Sequence, residues 1–267
     1  QTMRPALPFG IAAQGKVFRN EITPGNFIFR TREFNLMEFE YFVAESDWEK
    51  YFEYWREKMH DWLTHLGVTP AHVHEHEIPD GERAHYSKRT IDFEYDYPFG
   101  QKELYGLAYR TDFDLARHTK ATGNDWGALP HVIEPTFGVD RSVLVTLLEA
   151  YHEEEVEGET RVVLRFPKWL APVHVAVLPL SKKDELAKPT QEIAASLQSH
   201  FRVEYDETQS IGKRYRRQDE IGTPYCITVD FETLNDKKVT VRDRDTMQQE
   251  RVDISLLADY LSDKLRS

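Results

Sequence analysis

Residues 18–42, FRNEITPGNFIFRTREFNLMEFEYF, constrain the fold of this chain more than any other stretch. At the centre, Thr23-Pro24-Gly25-Asn26 is turn chemistry, because proline presets φ and glycine supplies the tight reversal. The flanking residues are β-branched, aromatic or alternating, which predicts two antiparallel strands. Side chains two apart on a strand share a face. Counting by twos from Arg30 puts Arg32, Phe34, Leu36, Glu38 and Glu40 on one face. Phe27, Phe29, Met37, Phe39 and Tyr41 form the other, a core-facing set interrupted by Glu33. The first face runs from cations through an aromatic ring to carboxylates, and Arg19 and Glu21 share a face of the partner strand. Such a surface can hold an anion, a flat ring and an ammonium in a row. At about 3.3 Å per residue, Arg30 to Glu38 spans roughly 26 Å, the reach of an extended nucleotide conjugate. A hairpin with a merely solvated charged face fits the same pattern.

The chain has 267 residues, 40% hydrophobic and 30% charged, as expected of a globular protein of one or two domains. It contains no run of 18 apolar residues and no basic-then-apolar leader, so neither membrane insertion nor secretion is expected. A single cysteine, Cys226, excludes an internal disulfide and fits a reducing, cytoplasmic setting. It falls in an apolar run and reads as a buried strand thiol. The net charge of −12 argues against nucleic-acid binding over the whole surface but leaves room for a local basic footprint. The opening Gln1-Thr2-Met3-Arg4 reads like the interior of a longer chain.

Residues 7–17 lead into the hairpin, with breaks at Gly10 and Gly15. Ser46 with Glu49 forms a capping-box signature. Trp48, Phe52, Trp55, Met59, Trp62 and Leu66 then recur at helical spacing until Gly67 stops them. Residues 69–83 read as a loop in which His72, His74 and His76 are solvated, since no cysteine joins them to complete a zinc set. Strands are expected at 90–97, 103–109 and 132–135, and a helix at 140–151. The acidic stretch 153–169 is the expected linker between a domain over 1–152 and another over 170–267. In the second, strands at 173–180, 203–205, 225–231 and 238–242 alternate with helices at 191–201, 213–220 and 254–265. That rhythm predicts a small α/β domain with a mostly parallel or mixed sheet.

The string Phe18-Arg19-Asn20-Glu21, the turn, Arg30 and then Phe34 resembles motif 2 of class II aminoacyl-tRNA synthetases, and FRNEITPGNFIFRTREF is similar to that of the dimeric glycyl-tRNA synthetases. Glu134-Pro135-Thr136-Phe137-Gly138-Val139-Asp140-Arg141 resembles motif 3, in the right order and at the right distance. The resemblance implies an α+β fold: an antiparallel sheet flanked by helices, followed by a small α/β anticodon-binding domain. It implies a ligase that activates glycine with ATP and transfers it to tRNA(Gly).

The resemblance also assigns roles. Arg19 and Arg141 form the catalytic pair, Arg19 on the α-phosphate and Arg141 on the γ-phosphate. Glu21 reads the adenine, Phe34 stacks on it and Arg30 reaches the terminal phosphates; Asn20, Phe29, Arg32, Glu103, Leu104, Gly138 and Asp140 complete the ATP contacts. Arginine suits these places because its planar fork meets phosphate oxygens two at a time. Glu103 and Glu134 resemble the acidic positions that bring Mg2+ to ATP. Glycine would meet Phe34, Met37, Glu38, Glu134, Thr136 and Gly138, with Glu38 on the ammonium and Thr136 where the family usually has serine. Residues 110–115 would support that pocket from behind. In the second domain, Lys213, Arg214, Arg216 and Arg217 would contact RNA by phosphate neutralisation.

Motif 1, the family's dimer interface, is absent, as is an upstream segment that supplies another glutamate to the pocket. Ala13 stands where the family usually has glutamine, and 119–129 is shorter than the usual connection. A synthetase-like protein that binds nucleic acid without catalysis therefore stays open beside the ligase.

Overall fold

The computed structural model describes residues 5–123 and 127–266. The expected chain-interior start at 1–4, and part of the connection 119–129, lie outside the described residues. The chain divides into two units, Gln1–Thr146 and Leu147–Ser267.

The first unit is built on a six-stranded antiparallel sheet. Its strands are β1 (Phe9–Phe18), β2 (Glu33–Val43), β3 (Val73–Glu77), β4 (Arg89–Tyr97), β5 (Gly100–Thr111) and β6 (His131–Gly138). They lie in the order β1-β2-β6-β5-β4-β3, so the last strand inserts between β2 and β5. Helix α1 (Trp48–His65) follows β2, α2 (Phe113–Thr122) follows β5, and α3 (Val139–Ala150) leaves the end of β6.

The hydrophobic alternation decides which face α1 covers. Trp55 of α1 packs its ring 5.2 Å from Phe39 and 5.5 Å from Tyr41, and Trp48 stacks on Tyr109 at 4.1 Å. His60 of α1 lies 5.1 Å from the Phe93 ring, and Phe52, Met59 and Leu63 of α1, Ile91 and Phe93 of β4 and Leu107 of β5 are all buried. Each such side chain contributes about 1.5–3 kcal/mol by leaving water. The even-numbered residues of β2 are thereby left to the opposite face. Gly67, at φ +82°, follows the helix end. The capping box does not form: the N-cap is Asp47 and makes no side-chain cap.

Several expectations are corrected here. Residues 27–32 are not a strand. Asn26 and Phe27 both take positive φ, and Gly25 and Arg30 exchange backbone hydrogen bonds, closing a compact loop. Counting by twos therefore holds only from Glu33 onward. The histidine segment is not a loop but the edge strand β3, with His74 bonded to Asp96 at 2.9 Å. Helix α2 occupies sequence that gave no clear periodic signal.

The second unit opens with a hairpin, β7 (Tyr151–Val156) and β8 (Glu159–Leu164), in place of the expected linker. A five-stranded mixed sheet follows, made of β9 (Val175–Pro179), β10 (Val203–Tyr205), β11 (Tyr225–Val229), β12 (Lys238–Asp243) and β13 (Gln249–Asp253). Its order is β10-β9-β11-β12-β13, parallel across the first three strands and antiparallel across the rest. The helices are α4 (Asp184–Leu197), α5 (Ile211–Ile221), the short α6 (Thr233–Asp236) and α7 (Leu257–Arg266). Helix α4 starts earlier than expected and runs through Pro189, whose missing N–H removes one ladder bond.

Buried charge ties the hairpin to this unit. Arg161 of β8 donates to Asp219 of α5 at 2.8 Å and to the Arg244 carbonyl at 2.6 Å, and it also bonds Glu154. Arg242 of β12 grips both oxygens of the same Asp219, at 2.9 and 3.1 Å. Arg161 and Asp219 are both fully buried, so neither can lose its partner cheaply. Among the described residues no helix is long and apolar enough to cross a membrane.

Candidate active site

The face of the first sheet that α1 leaves uncovered carries one row of paired residues across all six strands. It runs Ala13, Glu38, Thr136, Gly106, Asp92, His76. The cleft above it is lined by Arg19, Glu21, Phe29, Arg30, Phe34 and Leu36 from the β1–β2 side, and by Glu103, Leu104, Gly106, Thr136, Gly138, Asp140 and Arg141 from β5, β6 and α3.

The lining carries three guanidinium groups, Arg19, Arg30 and Arg141, interleaved with the carboxylates of Glu21, Glu103 and Asp140. The Arg19 guanidinium lies 5.2 Å from the centre of the Phe34 ring. Arg30 pairs with Glu21 at 3.4 Å, which holds the 19–32 loop over the cleft together with a bond from Arg32 Nε to the Glu21 carbonyl at 3.0 Å. Arg141 donates from Nη1 to the Glu103 carbonyl at 2.8 Å and from Nε to the Phe29 carbonyl at 3.2 Å. It also pairs with the Glu103 carboxylate at 3.1 Å and lies 4.5 Å from the Phe29 ring centre. Phe29 is itself buried against Tyr97 and Phe99, so it props Arg141 rather than offering an open ring. Asp140, in the first turn of α3, accepts from the Asn35 backbone N–H at 2.5 Å.

Glu103 reaches this cleft through a bulge. Phe93 pairs with Tyr105 and Glu94 with Glu103, so Leu104 is an extra residue in β5. Without it the alternation would send Glu103 to the α1 side with Tyr105. Asp92 stands nearby, and burial, with Glu103 adding repulsion, pushes its carboxyl up to about 6.

Beside the cleft, on the same face of the sheet and next to Thr136, lies an anionic cluster outside the lining set. Carboxylate oxygens of Glu38, Glu40 and Glu134 lie within 4.8 Å of one another. Thr136 donates to Glu38 at 3.4 Å. Arg110 bonds Glu134 and also Asp114 of α2, the latter at 2.6 Å. Burial, then the neighbouring Glu134, push the Glu40 carboxyl up to about 8. Burial raises Glu134 too, while Arg110 pulls it down. Burial and mutual repulsion thus favour one extra proton shared by Glu40 and Glu134. Three carboxylates with one guanidinium and one extra proton make a site for a compact cation with several N–H donors.

Not every expected residue reaches the cleft. Met37 lies on the α1 side of β2, where alternation sends odd positions, and cannot touch a ligand opposite. Asn20 is exposed outside the lining set, and Arg32 serves the loop. The pairing of Glu103 and Glu134 on one metal fails. Glu134 pairs with Ala108, five residues from Glu103 along β5, or about 15 Å apart at strand spacing. Glu134 is also committed to Arg110. Glu103, half-exposed with Asp92 close by, keeps the oxygen donors that Mg2+ prefers.

In the second unit, Arg214 is buried, donating to the Pro179 carbonyl at 2.6 Å, so it is structural and closed to RNA. Arg217 is paired with Asp206. Lys213 is exposed and Arg216 half-buried.

Sequence reasoning put Glu40 on the ligand-facing side by alternation but gave it no role, and left Asp92, Gly106 and Asn35 out of the site. These three become visible only when β4, β5 and α3 are set against β2.

Residues 1–151 match a family model described as the tRNA synthetase class II core domain (G, H, P, S and T). Residues 174–264 match one described as an anticodon binding domain. The chain is 51% identical to a glycine–tRNA ligase of Caldanaerobacter subterraneus subsp. tengcongensis, covering 100% of this chain and 59% of that protein. It is 50% identical to the glycine–tRNA ligase of Corynebacterium efficiens, covering 98% of this chain and 60% of that protein. It is 51% identical to that of Geobacillus kaustophilus, with 99% of this chain and 59% of that one covered. The chain thus spans about 60% of the length of the curated relatives it matches. In fold it is similar to a crystal structure of prolyl-tRNA synthetase from Cryptosporidium parvum complexed with L-proline and AMP. The TM-score is 0.72 at 18% identity, over 97% of this chain and 56% of that one.

Proposed function

Since this chain belongs to the class II aminoacyl-tRNA synthetase family, we propose that it activates glycine with ATP and transfers the glycyl group to tRNA(Gly). The observation that carries this reading is the placement of guanidinium groups and a carboxylate cluster along one sheet face. Arg19, Arg30 and Arg141 line the cleft, and the carboxylates of Glu38, Glu40 and Glu134 converge beside it, where Thr136 of the lining donates to Glu38.

A glycine bound with its ammonium among those carboxylates turns its carboxylate toward Arg19. Arg19 then bridges that carboxylate and the α-phosphate of ATP, neutralising two like charges that must approach. The carboxylate oxygen forms a bond to the α-phosphorus while the bond to the bridging oxygen breaks, releasing pyrophosphate. The protein contributes position and charge rather than a nucleophile. Phe34 supplies a flat apolar face for adenine, held in place by Arg19 above it. Arg141, fixed by two backbone carbonyls, faces the departing phosphates. Mg2+ carried on ATP would be held by Glu103, where it offsets phosphate charge.

Selecting glycine is a matter of exclusion, because the substrate has no side chain to grip. Thr136 and the Glu38–Glu40 pair close around the Cα position, and the threonine methyl narrows it further. The second unit's likeness to anticodon-binding domains supports tRNA(Gly) as the acceptor, with Lys213 and Arg216 as the cations left available.

Glycine-dependent exchange of pyrophosphate into ATP tests the reading, with alanine and serine as competitors and Arg19→Ala beside the unaltered chain. Exchange with glycine alone, lost in the variant, is the expected result. A folded chain that exchanges nothing, and whose melting temperature ignores Mg2+–ATP, would sink the proposal and leave a nucleic-acid-binding role.

A further inference from the structure

The edge strand β3 carries two imidazoles that the cleft chemistry does not use. His74 and His76 are two apart, so both project from the sheet face opposite α1, while Glu75 between them meets Arg56 and His60 of α1. Strand β4 sets carboxylates against them on the same face. His74 Nε2 lies 2.9 Å from Asp96, and His76 Nδ1 lies 3.6 Å from Glu94. Glu94 also stands directly across from His74 in the ladder, so one carboxylate adjoins both rings. Its second oxygen accepts from Gln101 Nε2 of β5 at 2.6 Å, which fixes its orientation. His72 does not belong to the set, since its ring stands edge-on to Tyr95 at 6.1 Å.

We propose that His74, His76, Glu94 and Asp96 form a site for one divalent transition-metal ion of the zinc type. Imidazole nitrogen and carboxylate oxygen are both zinc donors, and at bonds of about 2.0 Å two tetrahedral ligands stand about 3.3 Å apart. The two histidine–carboxylate pairs already bracket that spacing. Rings on adjacent same-face positions of a strand can turn onto one ion, and these partly exposed side chains have room for that turn. Two neutral imidazoles with two carboxylates supply the two negative charges that a dication cancels. Gln101 holds Glu94 in place without touching the ion. Imidazole donors favour a transition metal over Mg2+, so this ion differs from the one that ATP brings to Glu103. A charged edge also keeps foreign strands from pairing with β3, but that purpose requires no particular donor geometry.

The test is isothermal titration calorimetry of the full chain with zinc chloride, in a buffer that does not chelate the metal. One ion per chain should bind with micromolar affinity. His74→Gln with His76→Gln should weaken that binding by about a hundredfold, and Gln101→Leu, which only loosens Glu94, by about tenfold. His118→Gln with His200→Gln removes two exposed imidazoles elsewhere and should change nothing. Millimolar Mg2+ should not compete. Every variant alters partly or fully exposed side chains, so the metal-free melting temperatures should match that of the unaltered chain. Zinc binding that survives loss of His74 and His76, or that Mg2+ displaces, overturns the proposal and assigns the ion to the Glu38, Glu40 and Glu134 carboxylates instead. Absence of zinc binding overturns it as well and leaves β3 a protected edge. The readout is metal binding rather than catalysis, so neither result bears on glycine activation.

Discussion

Gly106→Ala separates the cleft from the fold that carries it. Gly106 lies in the floor, between Thr136 on β6 and Asp92 on β4. A Cβ there would meet only Asp92 Oδ1, at 3.9 Å, an ordinary contact, and the backbone is not in the left-handed region. Alanine should therefore cost the folded state nothing and remove about 0.4–1 kcal/mol of freedom from the unfolded chain. For a unit near 150 residues that raises the melting temperature by about 1–4 °C. The ligand meets a different surface. The new methyl stands in the floor on which substrate must rest, and overfilling a fitted site costs about 1–3 kcal/mol. That converts to about a five- to 150-fold loss in kcat/KM. Scanning fluorimetry and glycine-dependent pyrophosphate exchange, with KM taken for glycine and for ATP, read the two effects separately. A variant that melts normally and exchanges with unchanged kcat/KM would mean that no substrate uses this floor. A collapse in melting temperature would refute the open packing around Gly106.

Three further outcomes are expected. Asp219→Ala strands the buried Arg242 without a counter-charge, leaves Arg161 with Glu154 alone, and should cost about 3–5 kcal/mol in denaturant unfolding; a loss below about 1 kcal/mol would contradict the buried network. Glu40→Gln copies the protonated form of a carboxyl pushed up to about 8. Because that group is raised, the native state is penalised increasingly as pH climbs from the ordinary carboxyl range through 8. The unaltered chain should therefore lose melting temperature relative to the variant between pH 5 and 8.5, and a difference independent of pH would argue against the shared proton. Lys213→Glu should weaken tRNA binding while leaving stability alone, whereas Arg214→Ala should lower the melting temperature, and the opposite pattern would overturn their assignment to surface and core.

The elements that could be read from sequence alone are those whose information is local. The stripe from Trp48 to Leu66 specifies α1 because contacts three and four apart determine which side is buried. From Glu33 to Val43 strict alternation separates Glu38 and Glu40 from Phe39 and Tyr41, and that separation survives in the fold. The motif strings around Arg19 and Arg141 were likewise legible, since each is contiguous.

What tertiary structure decided is everything that depends on which segments become neighbours. Insertion of β6 between β2 and β5 brings Glu134 and Thr136 against Glu38, although they lie about a hundred residues away. A single extra residue, Leu104, turns Glu103 into the cleft, and no local pattern announces a bulge. The loop 25–30 bends out of the strand because Gly25 and Arg30 bond each other, which spoils the count by twos before Glu33. The basic run in α5 looked like an RNA-binding face, yet helical geometry turns Arg214 inward onto the Pro179 carbonyl. The acidic stretch after α3 looked like a linker, but Arg161 within it meets Asp219 from a helix far along the chain. Sequence by itself determined the faces of elements and the chemistry written along them. Only the packed chain could determine which of those faces meet, because burial and ion pairing are set by partners that distant sequence supplies.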